Sequence, residues 1–249
     1  MIAAAALSPA QLAFAAAAVF LAGVVRGFTG FALSALIMAA LVALIPPVQL
    51  IPVCMLLELA ASALLIKGGL GDADRTMALR LQTGALLGVP LGLWLTTTLP
   101  PDLSRRIALL LVLGLAGAQL LRLRLPVSRA ALPTVATGIF SGLVTGLASI
   151  GGMVIALYAL ALSIPPRQMR GTLILIIFIG GALGLMWQTA FGMLTTTALA
   201  RAALLAPPAL AGVLIGRRLF TPAYERYYRP LTLTLLIALA LFNLARSLA

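Results

Sequence analysis

Gly23-Val-Val-Arg-Gly27 and Gly142-Leu-Val-Thr-Gly146 are matching stretches, and each lies near the end of an apolar run. A second pair, Ile45-Pro-Pro-Val-Gln49 and Ile164-Pro-Pro-Arg-Gln168, follows at the same spacing. The differences 142 − 23, 146 − 27, 164 − 45 and 168 − 49 are all 119 residues. Similarity at a constant offset indicates an internal repeat. We therefore predict one domain, 1–249, made of two repeats at about 7–122 and 132–248.

The composition around these stretches is that of a membrane protein. Hydrophobic residues make up 63% of the 249 residues and charged residues 9%, with a mean hydropathy of +1.17. Soluble domains carry about 25% charged residues. Apolar runs of ~20 residues suffice to cross ~30 Å of hydrocarbon. The sequence predicts an all-α integral membrane protein whose surroundings are the lipid bilayer, with no soluble domain.

Each repeat contains five hydrophobic segments, and two of the ten are short. The short segments, 31–45 and 151–164, follow the turn-like stretches Arg26-Gly-Phe-Thr-Gly30 and Ser149-Ile-Gly-Gly152. Each can form either a full span or the returning arm of a re-entrant or broken-helix hairpin. The predicted segments are 7–25, 31–45, 48–66, 79–98, 105–121, 132–148, 151–164, 169–190, 199–217 and 230–248.

The orientation follows from the number of crossings and the positions of the cations. Each hairpin returns to its starting face, so three further helices per half leave the second repeat inverted. Threading places twelve cations on one face and four on the other, with Arg26 left out. The richer face is cytoplasmic by the positive-inside rule. We expect a multi-pass protein of the bacterial inner membrane with both termini periplasmic. The twelve are Lys67, Arg75, Arg80, Arg122, Arg124, Arg129, Arg167, Arg170, Arg217, Arg218, Arg226 and Arg229, and the four are Arg105, Arg106, Arg201 and Arg246.

Inverted repeats are typical of secondary transporters, because two halves of opposite orientation can open one site alternately to each side. The chain has no histidine, one cysteine and five carboxylates, so no enzyme activity, metal or cofactor is expected. It has no Walker A sequence, which excludes an ATP-driven pump made of this chain alone. The net charge of +12 comes mainly from loop residues and indicates membrane orientation rather than nucleic-acid binding.

The candidate binding residues lie at the two turn-like stretches. A helix that starts inside the membrane directs its free N–H groups and the positive end of its dipole at a bound anion. Glycines allow close backbone approach, and hydroxyl groups can bind oxyanions. Helix packing is an equally good explanation for the four glycines of the matching stretches. The candidates are Thr29, Gly30, Phe31, Ser149, Gly151 and Gly152.

Three charged residues are also candidates. Arg26 lies at the end of the first apolar run, where a buried arginine needs a partner such as an anion. Glu58 lies in the middle of segment 48–66, and it either forms an ion pair with Arg26 or carries a coupled proton. Arg170 follows the Ile-Pro-Pro-Arg-Gln-Met stretch, where it either binds the anion or marks the cytoplasmic face.

These motifs resemble the TauE/SafE family, the sulfite exporter or toluene sulfonate uptake permeases, over essentially the whole chain. The first motif, like a-G-x-x-x-G-x-x-G-F-G, reads Ala22 to Ala32 here. The second, G-x-x-x-G-x-x-G-x-G-G-P with a later P-x-x-x-R, reads Gly142 to Met153 and then Pro166 to Arg170. Three positions depart from the family pattern: Ala32 and Ser149 replace glycines, and Met153 replaces the proline.

The resemblance implies transport of a small anionic substrate, namely sulfite or an organosulfonate such as sulfoacetate, with the turn-like stretches carrying the site. We expect export by alternating access. The alternatives are a proton-coupled uptake permease for a similar anion and a non-transporting membrane assembly subunit. The sequence leaves a homodimer open.

Overall fold

The computed structural model describes residues 7–69, 71–121, 123, 127–219 and 233–245, and all regular elements in these ranges are α-helices. Ten helices follow one another along the described chain. They are α1 (Pro9–Thr29), α2 (Leu33–Leu41), α3 (Pro47–Gly69), α4 (Arg75–Thr98), α5 (Pro101–Leu120), α6 (Ala131–Ala148), α7 (Gly151–Ala161), α8 (Pro166–Ala190), α9 (Thr196–Arg218) and α10 (Leu233–Ala245).

Each predicted segment overlaps one of these helices, so the predicted all-helical membrane fold is confirmed. Seven of the helices are long and apolar enough to cross a membrane: α1, α3, α4, α5, α6, α8 and α9. Five cations used to predict the orientation lie outside the described residues, and the orientation stays a prediction. They are Arg122, Arg124, Arg226, Arg229 and Arg246.

The short helices α2 and α7 each follow directly on a turn at the end of a long helix. With 9 and 11 residues, they are about 14 and 17 Å long at a rise of 1.5 Å per residue, about half of the ~30 Å hydrocarbon layer. The N–H of Ser34 in the first turn of α2 donates to Glu58, at the midpoint of α3. Gly152 in the first turn of α7 faces Ile177, near the midpoint of α8. This geometry favours broken-helix hairpins over full spans.

Glycines place the first helix of each half directly against a helix of the other half. Gly23 and Gly27 of α1 face the backbone of α9, and Gly212 and Gly216 of α9 face the backbone of α1. The pair α4 and α6 has the same arrangement, including Gly142 and Gly146 among others. These two pairs make the most extensive helix–helix contacts in the described part of the chain. Packing therefore accounts for the glycines of the two matching stretches.

Helix boundaries repeat with the offset seen in the sequence. The differences between the ends of α6 and α1 and between the starts of α8 and α3 are both 119 residues (148 − 29 and 166 − 47). The contacts are also reciprocal. The first helix of each half packs against the fourth helix of the other half, α1 against α9 and α6 against α4. Both observations agree with the predicted repeats, which stay a prediction.

The two turns between the hairpin arms use left-handed backbone, which is why glycine suits them and why two departures from the family pattern carry strain. We call residues 30–32 the first tip and residues 149–152 the second tip. Gly30, Ala32 and Ser149 have φ values of 83°, 77° and 59°. Glycine adopts this region freely, whereas a residue with a Cβ atom loses about 1–2 kcal/mol there. Ala32 and Ser149, which stand where the family pattern has glycine, are therefore strained.

We expect Ala32→Gly to leave the stability unchanged or to raise it by up to about 1 kcal/mol, because relief of backbone strain offsets the lost methyl group. The control is Ala40→Gly in α2, a buried alanine in ordinary helical backbone, where glycine is expected to lower stability by about 1 kcal/mol. Thermal unfolding in detergent measures both. Equal destabilisation by the two substitutions would contradict the strain at Ala32.

Candidate functional site

A buried ion pair lies at the first tip. Nε of Arg26 is 2.7 Å from Oε2 of Glu58, and Nη2 of Arg26 donates to Oγ of Ser62 at 2.6 Å. Arg26 is fully buried, and Glu58 is 6% exposed. The ion pair is one of the two roles predicted for Glu58, and it forms.

The other oxygen of Glu58 accepts hydrogen bonds at the N-terminal end of α2. Oε1 accepts from the backbone N–H and from the hydroxyl of Ser34, both at 3.1 Å. Ala32, at the N-cap position, has no side chain able to cap the helix. A carboxylate at a helix N-terminus satisfies N–H groups and interacts favourably with the helix dipole. The α2 start therefore already carries an anionic group, which the protein itself supplies.

The remaining candidates of the first tip hold its turn together. The hydroxyl of Thr29 lies 2.9 Å from the carbonyl of Val25 and 2.7 Å from that of Phe31, and it accepts from the N–H of Phe31. Nη2 of Arg170 donates to the carbonyl of Gly27 at 2.9 Å, which places a cation at the C-terminal end of α1. The side chain of Arg170 also packs against Gly30.

The second tip is closed by hydroxyl groups rather than by charges. Oγ of Ser141 donates to the carbonyl of Gly151 at 3.0 Å, and Oγ1 of Thr145 donates to the carbonyl of Ser141 at 2.8 Å. A Cβ atom at Gly151 would overlap both side chains. The start of α7 has no side-chain cap. Among the described residues, no carboxylate accepts from its first N–H groups as Glu58 does from Ser34.

The offset of 119 residues shows why the two tips differ. It pairs Arg26 with Thr145 and Glu58 with Ile177. The two charged side chains of the first half therefore correspond to a threonine and an isoleucine in the second half. Ile177 lies against Gly152, with Cδ1 3.3 Å from the position of a Cβ atom there. The second half thus has the same helix start without the internal carboxylate.

The two tips meet, as the sequence predicts for equivalent elements of inverted repeats. A Cβ atom at Gly152 would lie 3.9 Å from Cβ of Phe31. A cavity lies beside this contact. The cavity has a volume of about 70 Å³, enough for several water molecules.

Four of the predicted residues line this cavity, and five do not. Glu58, Ser149, Gly151 and Gly152 are in its wall. The other five surround the first tip beside it: Arg26, Thr29, Gly30, Phe31 and Arg170. The remaining polar lining residues are Ser34, Gln82, Ser141 and Thr145.

Gln82 is one of the lining residues that sequence analysis missed. It is 6% exposed, and its amide makes no hydrogen bond to another described residue. Its Nε2 lies 3.0 Å from the position of a Cβ atom at Gly180, which leaves room for it beside α8. The hydroxyl of Ser149, 8% exposed, also has no partner within the described ranges. A lone glutamine in an apolar run was the available signal.

The described residues contain no group of three or more histidine, cysteine or acidic side chains that could hold a metal ion. Cys54 of α3 is fully buried. The polar groups of the cavity are hydroxyls, one amide, backbone N–H groups and the paired carboxylate of Glu58. Such a set binds and orients a ligand through hydrogen bonds.

Seven span-length helices, together with two helix breaks that meet beside a cavity, indicate a multi-pass membrane protein. A family model described as sulfite exporter TauE/SafE matches residues 15–243, nearly the whole chain. The chain belongs to the TauE/SafE family, whose members are membrane transporters of the sulfite and sulfonate exporter type rather than enzymes. No curated protein and no solved structure matches the chain.

Proposed function

We propose that this chain exports a small sulfur-containing oxyanion by alternating access, and that the start of α7 binds the anionic group. Backbone N–H groups of Gly151 and Gly152, the hydroxyl of Ser149 and the amide of Gln82 donate to the oxygens. The observation that carries the proposal is that the Gln82 amide and the Ser149 hydroxyl line the cavity and make no hydrogen bond to another described residue. Polar groups that face a cavity with free hydrogen-bonding capacity favour a polar ligand there.

The first half supports this assignment by analogy. At the start of α2, the Glu58 carboxylate accepts two hydrogen bonds from Ser34. The substrate oxyanion takes the equivalent place at the start of α7, where Ile177 stands instead of a carboxylate. Arg26 and Arg170 then act indirectly. Arg26 balances the charge of Glu58, and Arg170 fixes the first tip against α8.

The direction follows from the membrane potential. The potential is negative inside and moves an anion outward with about 2.3 kcal/mol per charge per 100 mV. Export of an anion therefore needs no coupled ion.

In the proposed orientation, the face with more cationic residues is cytoplasmic and both termini are periplasmic. A C-terminal reporter that is active only in the cytoplasm should be inactive, and an active one would overturn this orientation.

We expect Gln82→Met to weaken sulfite binding about tenfold, because loss of one hydrogen bond to a charged group is worth about 1.5–3 kcal/mol. Methionine keeps the length of the side chain, so the fold should be retained. The measurement is the ligand-induced rise in unfolding temperature of the purified protein, with sulfite efflux from proteoliposomes as the second readout.

The matched control is Gln188→Met in α8. Gln188 is also fully buried, and neither side-chain atom has a hydrogen-bond partner within the described ranges, but it does not line the cavity. We expect this substitution to leave sulfite binding unchanged. Equal loss of binding in both variants, or full binding by Gln82→Met, would contradict the proposed site.

A further inference from the structure

We infer that the cavity beside the start of α7 selects singly charged oxyanions, such as hydrogensulfite or a monosulfonate, over doubly charged ones such as sulfate, thiosulfate or sulfoacetate. The inference rests on the proposed function, because it assigns the charge of the ligand to the same site. It follows from which charged side chains line the cavity and which lie outside its wall.

The cavity wall contains no cationic side chain among its described residues. Its one ionisable side chain is Glu58, and the charge of Glu58 is balanced by Arg26 at 2.7 Å. Arg26 is fully buried and outside the wall. The other cations of this region are grouped around Gly27 at the end of α1: Arg170 donates to its carbonyl, and the backbone of Arg217 lies against it. The wall therefore offers neutral donors to a ligand.

Neutral donors and one helix start suffice for a single charge. A helix N-terminus carries the equivalent of about half a positive charge, and the Ser149 hydroxyl and Gln82 amide add two uncharged donors. The desolvation free energy of an ion grows with the square of its charge, so a dianion is far harder to bury than a monoanion. A second charge would also lie closer to Glu58 without a cation of its own. The cavity thus lacks the countercharge that a dianion needs.

The rest of the wall suits a small apolar substituent. Met55, Ala85, Val89, Ile155 and Ile176 also line the cavity. A methyl group on the sulfur atom would contact these side chains, whereas a second carboxylate would be desolvated there without a partner. One anionic end and one apolar end describe a simple monosulfonate.

Methanesulfonate and methylphosphonate test the inference, because they have nearly the same shape and differ in charge. Methanesulfonate carries one charge at every working pH, and methylphosphonate passes from one charge to two as the pH rises. We expect methanesulfonate to raise the unfolding temperature of the wild-type protein at acidic and alkaline pH. Methylphosphonate should bind comparably at acidic pH and at least about tenfold more weakly at alkaline pH.

The methanesulfonate titrations also report any change in the protein itself. Glu58 is the only ionisable side chain in the described wall. A parallel change for both ligands reflects the protein rather than the charge of the ligand and overturns the inference. Equal affinity of methylphosphonate at both pH values, or strong binding of sulfate, also overturns it but leaves the proposed function standing. If no sulfur oxyanion of either charge binds, the proposed function itself fails.

Discussion

Replacement of Arg26 by methionine is expected to lower the free energy of unfolding by about 3–5 kcal/mol, because it leaves the Glu58 carboxylate buried without its cation. Arg26 is fully buried and contacts Glu58 and Ser62, so its removal leaves both side chains without that partner. Thermal unfolding in detergent measures the loss. The control is Arg75→Met, which removes an exposed arginine from the start of α4 and should change stability by less than about 0.5 kcal/mol.

The double variant Arg26→Met with Glu58→Met separates a structural ion pair from a coupling site. With both charges removed, stability should recover much of the loss, because an ion pair can often be replaced by apolar groups. Glu58→Gln alone should lower stability and leave any residual flux insensitive to a proton gradient. A Glu58→Gln protein of normal stability whose flux loses its dependence on the proton gradient would instead assign proton coupling to Glu58.

Gly151→Ala is expected to abolish binding of sulfite and to lower stability by about 1–3 kcal/mol, the usual range for overpacking. A methyl group there would overlap Thr145 Oγ1 and the Ser141 carbonyl, and it would lie 2.8 Å from the Ser141 hydroxyl. Backbone must shift to relieve this overlap, and the shift displaces the first N–H groups of α7. Thermal unfolding with and without sulfite gives both quantities.

The control is Gly114→Ala in α5, where no atom lies within 4 Å of the new methyl group. It should raise stability by up to about 1 kcal/mol, because alanine is the better helix former, and it should leave binding intact. Gly151→Ala with wild-type affinity for sulfite would remove the α7 start from the site.

Hydropathy was sufficient to predict the ten helices, because length and apolar content are what the bilayer selects. It could not predict where the two short helices end. Apolar residues continue beyond α2 through Ile45 and, apart from Ser163, beyond α7 through Ile164. The turns there are as apolar in composition as the helices, so only the three-dimensional structure shows where each short helix ends.

The ion pair of the first tip was accessible to sequence reasoning because a lone acid in an apolar run needs a partner. Gln82 was not, since the face of α4 that points at the cavity depends on how α4 packs against α6 and α8. The roles of Ser34 and Ser141 were hidden for the same reason. Their hydroxyls bond to Glu58 and to the Gly151 carbonyl, which lie on other helices.

The glycine contacts of α1 with α9 and of α4 with α6 also define which parts of the molecule can move. Their backbones touch without intervening side chains, so neither pair can slide without losing that fit. Each pair combines a helix from the first half of the sequence with one from the second. Each pair is therefore one close-packed unit built from both halves of the sequence. At the α3–α8 interface, by contrast, the side chains of Leu59 and Met55 separate the helices, and adaptable side chains of this kind allow shear.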